Sequence, residues 1–234
     1  MYSFRIGRVL SVAVLGAMCA MMPVQALTLI DVSGPNNSST ITDVLSNNPG
    51  VAFTLASAHN NVSIGVSLLA FGGSGDWNLN AFLTTQIGPG TTAASHEVAS
   101  VSQVITVPGS PFAAPYTITP TTIFSGLNLA AGTHYLTLSG TYNTQNAWWA
   151  GSPTADLSTV TSSGASVAAP YYYFSLPDFS YLPSSPFPVF SNAYGYWFSV
   201  TGDLVESNVP EPWSGALLLA GWIVLFPLRR SLRR

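Results

Sequence analysis

The sequence predicts an all-β domain, an antiparallel β-sandwich with the jelly roll among its forms, between Leu27 and Asn208. Three observations predict it. Apolar residues recur at every second position in several separate stretches, the period of a strand with one buried face. Glycine- and proline-rich turn signals stand between those stretches. No segment of this region has a sustained helical period with caps, and short strands punctuated in this way pack as two layers.

Residues 1–26 have the pattern of a secretory signal peptide, with Arg5 and Arg8 as its basic start, Val9 to Met22 as its apolar centre and Val24-Gln25-Ala26 as a small-residue cleavage site. Cleavage is expected between Ala26 and Leu27. No twin-arginine pair precedes the apolar run, which directs the chain to the general secretion machinery. Cys19, the single cysteine, lies within that run, so the delivered domain is expected to be without disulfide or thiol chemistry.

Val62, Ile64, Val66 and Leu68 alternate with Ser63, Gly65, Ser67 and Leu69 and predict a first strand. Ala99, Val101, Ile105 and Val107 repeat the pattern with Gln103 out of place, Leu136 and Leu138 follow the Ala130-Ala131-Gly132-Thr133 turn, and Tyr196, Phe198 and Val200 close the series. Turns are expected at Asn47-Asn48-Pro49-Gly50, Gly72-Gly73-Ser74-Gly75, Gly88-Pro89-Gly90 and Pro108-Gly109-Ser110-Pro111. From Tyr171 to Phe190 the prolines are too frequent for a central strand, which predicts an aromatic-rich loop over the sandwich.

Charge is distributed unevenly. The chain has no lysine, and all six arginines lie in the two terminal segments, whereas eight acids and no Lys or Arg lie between Leu27 and Asn208. An anionic domain without Arg or Lys repels a phosphate backbone and has no side chain to grip one, which argues against nucleic acid as a partner. It also has no internal Lys or Arg ion pair, so apolar burial and hydrogen bonding must hold it together.

The last 26 residues have three parts. Val209-Pro210-Glu211-Pro212 is extended by its prolines. Trp213 to Leu228 is an uncharged apolar run; as a transmembrane helix it would be about 24 Å long, against roughly 30 Å of hydrocarbon. Arg229, Arg230, Arg233 and Arg234 then supply a basic end that stays cytoplasmic. Motif, helix and basic tail in this order resemble the PEP-CTERM sorting signal of bacterial exported proteins. The resemblance, confined to residues 209–234, implies recognition by an exosortase-type membrane transpeptidase and transient anchoring in the inner membrane. Transfer to the cell surface or medium, into an exopolysaccharide or biofilm matrix, would follow. It implies an address and leaves the role of the delivered domain open.

Candidate sites in that domain are sparse. Asp76, Asn78 and Asn80 match the opening of a calcium loop, but Ala81 stands where that loop needs glycine and Ile87 where it needs a bidentate glutamate. A strand with an outward polar face explains the same spacing, so no metal or other cofactor is assigned. Flat aromatic rings that could stack on sugars are Trp77, Trp148, Trp149, Tyr171, Tyr172 and Tyr173. Adjacent strand residues face opposite ways, so one of Trp148 and Trp149 should point away from the core. His59, His96 and His134 are dispersed, and no nucleophile elbow, zinc motif or phosphate loop occurs. Asp156 and Asp178 flank the aromatic region without a spacing that demands glycoside hydrolysis. The first expectation is a non-enzymatic surface or matrix protein, the alternative a carbohydrate-binding module, and the third a secreted hydrolase.

Overall fold

The computed structural model describes residues 26–71, 74–140, 147–174, 188–190 and 193–205. The described residues up to Leu204 belong to one compact unit. The expected signal peptide before Ala26 and the expected sorting signal, with its transmembrane helix, lie outside the described residues. No helix among the described residues is long and apolar enough to cross a membrane.

The domain is all-β and mostly antiparallel. Sheet A contains β1 (Leu27–Ser33), β2 (Ile41–Val44), β4 (His59–Phe71), β7 (Gly109–Ser110), β8 (Thr119–Leu129), β10 (Ala147–Pro153), β11 (Ser158–Thr161), β14 (Tyr194–Tyr196) and β15 (Phe198–Leu204). Sheet B contains β3 (Gly50–Leu55), β5 (Gly75–Thr84), β6 (Glu97–Val107), β9 (Gly132–Gly140), β12 (Ala165–Phe174) and β13 (Pro188–Phe190). The order in sheet B is β13-β12-β3-β9-β5-β6. In sheet A it is β11-β1-β15-β4-β10-β14, with β8 and β7 also on β4 and β2 also on β10. A single helical turn, α1 (Ala93–His96), joins β5 to β6 and is capped by Thr92, whose hydroxyl accepts from the Ser95 N–H at 3.2 Å.

Strand β4 is the hub of sheet A. Val62, Ile64, Val66 and Leu68 are buried in the core shared with sheet B, as their alternation predicts. The opposite face carries Ser63, Gly65 and Ser67 and then becomes apolar at Leu69 and Phe71. Leu79, Ala81 and Leu83 of β5, Leu136 and Leu138 of β9, and Phe198 and Val200 of β15 complete the same core. Gln103 falls on the half-buried side of β6 with Val101 and Ile105, so the residue that breaks the apolar pattern keeps the phase of the strand.

Two expectations change. Tyr171 to Phe174 belong to β12 rather than to a loop, because this stretch pairs with β3 through Tyr172 opposite Gly50. Pro188 to Phe190 form the short β13, where Pro188 opens an outermost strand and interrupts no central ladder. Gly109 and Ser110, expected in a turn, make a brief parallel pairing with Ala70 and Phe71.

Candidate functional site

The outer face of sheet A carries a surface groove that could take a ligand. Strands β1, β15, β4 and β8 lie side by side there and line a groove of about 260 Å³. Asp31 and Ser33 border it on β1, Ser199 on β15, Gly65 and Ser67 on β4, and Thr121 and Thr122 on β8. Gly65 keeps the floor open: a Cβ at that position would come within 3.0 Å of the Ser199 hydroxyl and 3.7 Å of the Thr121 carbonyl. Hydroxyls and one carboxylate can exchange hydrogen bonds with a polyol, the carboxylate accepting from two neighbouring hydroxyls at once.

The same face continues along β4 into an aromatic corner. From Ser67 to Phe71 is four residues, roughly 13 Å of extended chain. Phe71 stacks on Phe112 with ring centroids 5.9 Å apart and planes 8° from parallel, and it meets Tyr116 and Trp148 edge-on at 5.6 and 5.5 Å. Phe112 is 80% exposed, so the ring face away from Phe71 is open to solvent. The loop that carries Phe112 is held by Asn36. Its side-chain amide donates to the Tyr116 carbonyl at 2.7 Å and its Oδ1 accepts from the Tyr116 N–H at 2.8 Å. Tyr116 is preceded by a cis Ala114–Pro115 peptide.

The two adjacent tryptophans divide as the strand period requires. Trp149 points inward, is fully buried, stacks on Tyr196 at 4.6 Å and donates from Nε1 to the Trp197 carbonyl at 2.9 Å. Trp148 points outward, opposite Leu69, and is half-buried in the aromatic corner. Its Nε1 is buried without a hydrogen-bond partner.

A sugar-platform role does not fit three of the six aromatics proposed from sequence. Trp77 is an inward residue of β5 and only 5% exposed, and Trp149 is core. Tyr172 is buried in a separate cluster with Ala52 and Tyr135. Its ring lies so close to Gly50 that a Cβ there would be 2.2 Å away, and its hydroxyl, 2.9 Å from that of Thr137, donates to the Leu136 carbonyl at 3.1 Å. Burial raises the Tyr172 phenol far above its ordinary pKa. Trp148, Tyr171 and Tyr173 are half-buried. Tyr171 and Tyr173 belong to a different cluster, where Tyr171 packs on Tyr196 at 4.8 Å and on Tyr173 at 5.8 Å.

Asp76, Asn78 and Asn80 lie on the outward face of β5, as the strand reading expects. Successive side chains on such a face are roughly 7 Å apart, and Asp76 accepts from the Thr106 hydroxyl at 2.6 Å. No group of three or more His, Cys, Asp or Glu comes together among the described residues. The histidines serve local structure: His59 is 2.9 Å from the Ser57 carbonyl, and His96 Nδ1 accepts from the Thr92 N–H at 3.0 Å. His134 is buried with Nε2 3.0 Å from the Ala130 carbonyl, and burial lowers its pKa. Asp156 is exposed in a 3-10 turn, whereas Asp178 is outside the described residues.

The Ala26–Leu27 junction is exposed and immediately precedes β1. Val209, Pro210, Glu211, Pro212 and the four C-terminal arginines lie outside the described residues. Sequence reasoning passed over Phe71, Phe112, Tyr116 and Asp31. Only the position of Phe71, in phase with Gly65 and Ser67, signalled that it shares their face. No protein family, curated protein or solved structure matches the chain.

Proposed function

We propose that the chain is an exported, non-enzymatic surface or matrix protein, delivered as an acidic β-sandwich and released from a C-terminal sorting signal by an exosortase-type transpeptidase. One observation carries the reading: every arginine lies in the two terminal segments, on the inner side of the membrane in this topology, and the domain between them has eight acids and no Lys or Arg. The decisive measurement is the intact mass of the protein recovered from envelope or medium. Loss of the first 26 residues and of the segment after the motif is expected, and a mass that retains Trp213 to Arg234 in wild-type cells overturns the sorting step.

A second reading, association with a neutral polysaccharide, is favoured by a groove bordered by hydroxyls and Asp31 on the same face of β4 as the Phe71–Phe112 corner. Rings stack on the apolar faces of sugars while Asp31 and the surrounding hydroxyls meet their polar edges. Anionic glycans are disfavoured by a domain with eight acids and no Lys or Arg. A glycan array on wild type, Phe112→Ala and Asp31→Ala tests it: binding weakened in both variants is expected, and no binding by wild type ends this reading while leaving the sorting result intact.

A further inference from the structure

We propose that β6 is a self-association edge, through which two copies of this chain pair antiparallel and continue sheet B from one molecule into the next. Strand β6 has 11 residues, ends sheet B, and has β5 as its only partner strand among the described residues. Its pairing with β5 runs unshifted from Gly75 opposite Val107 to Leu83 opposite Ala99. The far side of β6 is therefore a long row of backbone donors and acceptors in strand geometry, the template on which another strand adds.

The other outermost strands are blunted. Strand β8 is equally long, yet its register with β4 shifts three times, it carries Pro120, and Gly126 takes a φ of 69°. Strands β11 and β13 have only four and three residues. Bulges, proline and shortness are recognised protections of sheet edges; β6 has 11 residues and no proline, and its one register shift is confined to its start, where Ala99 and Glu97 pair with Leu83 and Thr84. From Val98 to Val107 it also has no charge.

A second copy is the occupant the sequence of β6 suits. Antiparallel pairing centred on Ser102 sets Ser100 opposite Val104, Ala99 opposite Ile105 and Glu97 opposite Val107, so no like charges meet. Val98 is 37% and Val104 64% exposed on the outer face, and both gain β-branched or hydroxyl neighbours across the new pair. On the inner face Ala99, Val101 and Ile105 pack against the core while only half-buried, and the added strand covers them.

The test uses the protein in the form its exporting host delivers, in mild detergent, and compares wild type with Ser102→Lys/Val104→Lys. Both positions are exposed, so the fold is kept, which circular dichroism checks. Light scattering after gel filtration is expected to give a dimer for wild type. Lysines set opposite each other across the pair should weaken it about tenfold or more. Amide hydrogen exchange supplies the second measurement, with residues 98–107 expected to gain protection as wild-type concentration rises. A monomeric wild type, equal masses for wild type and variant, or exchange in β6 that ignores concentration overturns the proposal.

Discussion

Replacing each of two neighbouring tryptophans by phenylalanine should give unequal results, because Trp148 and Trp149 sit on opposite faces of β10. Trp149→Phe removes the donor to the Trp197 carbonyl, which keeps a second donor, the Ser67 N–H at 3.2 Å. The loss is therefore one ordinary hydrogen bond, about 1 kcal/mol. The missing part of the indole leaves a gap beside Tyr196 in a fully buried site, costing roughly 1 to 2 kcal/mol more. Trp148→Phe also removes packing, but it deletes an Nε1 donor that is buried without a partner, whose relief returns about 1 kcal/mol. The expected costs are roughly 2 to 3 kcal/mol for Trp149→Phe and near zero for Trp148→Phe. Urea denaturation followed by far-UV circular dichroism measures both, with equal slopes required for the comparison. If Trp148→Phe proves as costly as Trp149→Phe, the assignment of inner and outer faces on β10 is wrong.

Gly50→Ala should destabilise by roughly 2 to 4 kcal/mol, since its Cβ would press on backbone-anchored Tyr172 2.2 Å away. Thermal melts would show it, and an unchanged midpoint would refute the close approach. The lowered pKa of His134 gives a pH dependence: the unfolded chain takes up the proton more readily, so stability is full above about pH 6.5 and declines as pH falls through that value towards the folded pKa. Melts at pH 8 and 5.5 should differ in wild type and differ less in His134→Gln; a wild type more stable at the lower pH would contradict the sign. Trypsin should leave residues 9–229 uncut even in urea, because no Lys or Arg follows Arg8 before Arg229, whereas a Glu-specific protease should cleave. Internal tryptic fragments on a mass spectrum would disprove this.

The parts of the fold legible in sequence were those where burial follows strand period. Val62 to Leu68 and the outward Asp76, Asn78 and Asn80 of β5 report their faces directly, because one side meets the core and the other water, whereas Trp77, offered as an exposed platform, follows the same period inward. Tyr171 to Tyr173 were misread because prolines downstream suggested a loop, whereas pairing with β3 depends on Gly50, a residue distant in sequence whose missing side chain makes room for Tyr172. The aromatic corner was hidden for a similar reason. Phe71, Phe112 and Trp148 meet only after β4, the loop following β7, and β10 come together. No local pattern announces a cluster whose members are about 40 residues apart in the chain.

Strand β15 lies between β1 and β4, with Leu27 opposite Gly202, so the first and last of the described strands are neighbours. Sheet A thus lacks its middle until residues 198–204 are available. A chain threaded through a membrane N-terminus first would reach the far side almost entirely before its largest sheet could zip shut, and would stay threadable throughout. Truncation before Phe198 should leave the remainder open to protease, with survival of a resistant core as the contrary result. In a chain so threaded, topology would set the timing of closure, with the domain complete only once residues 198–204 had crossed.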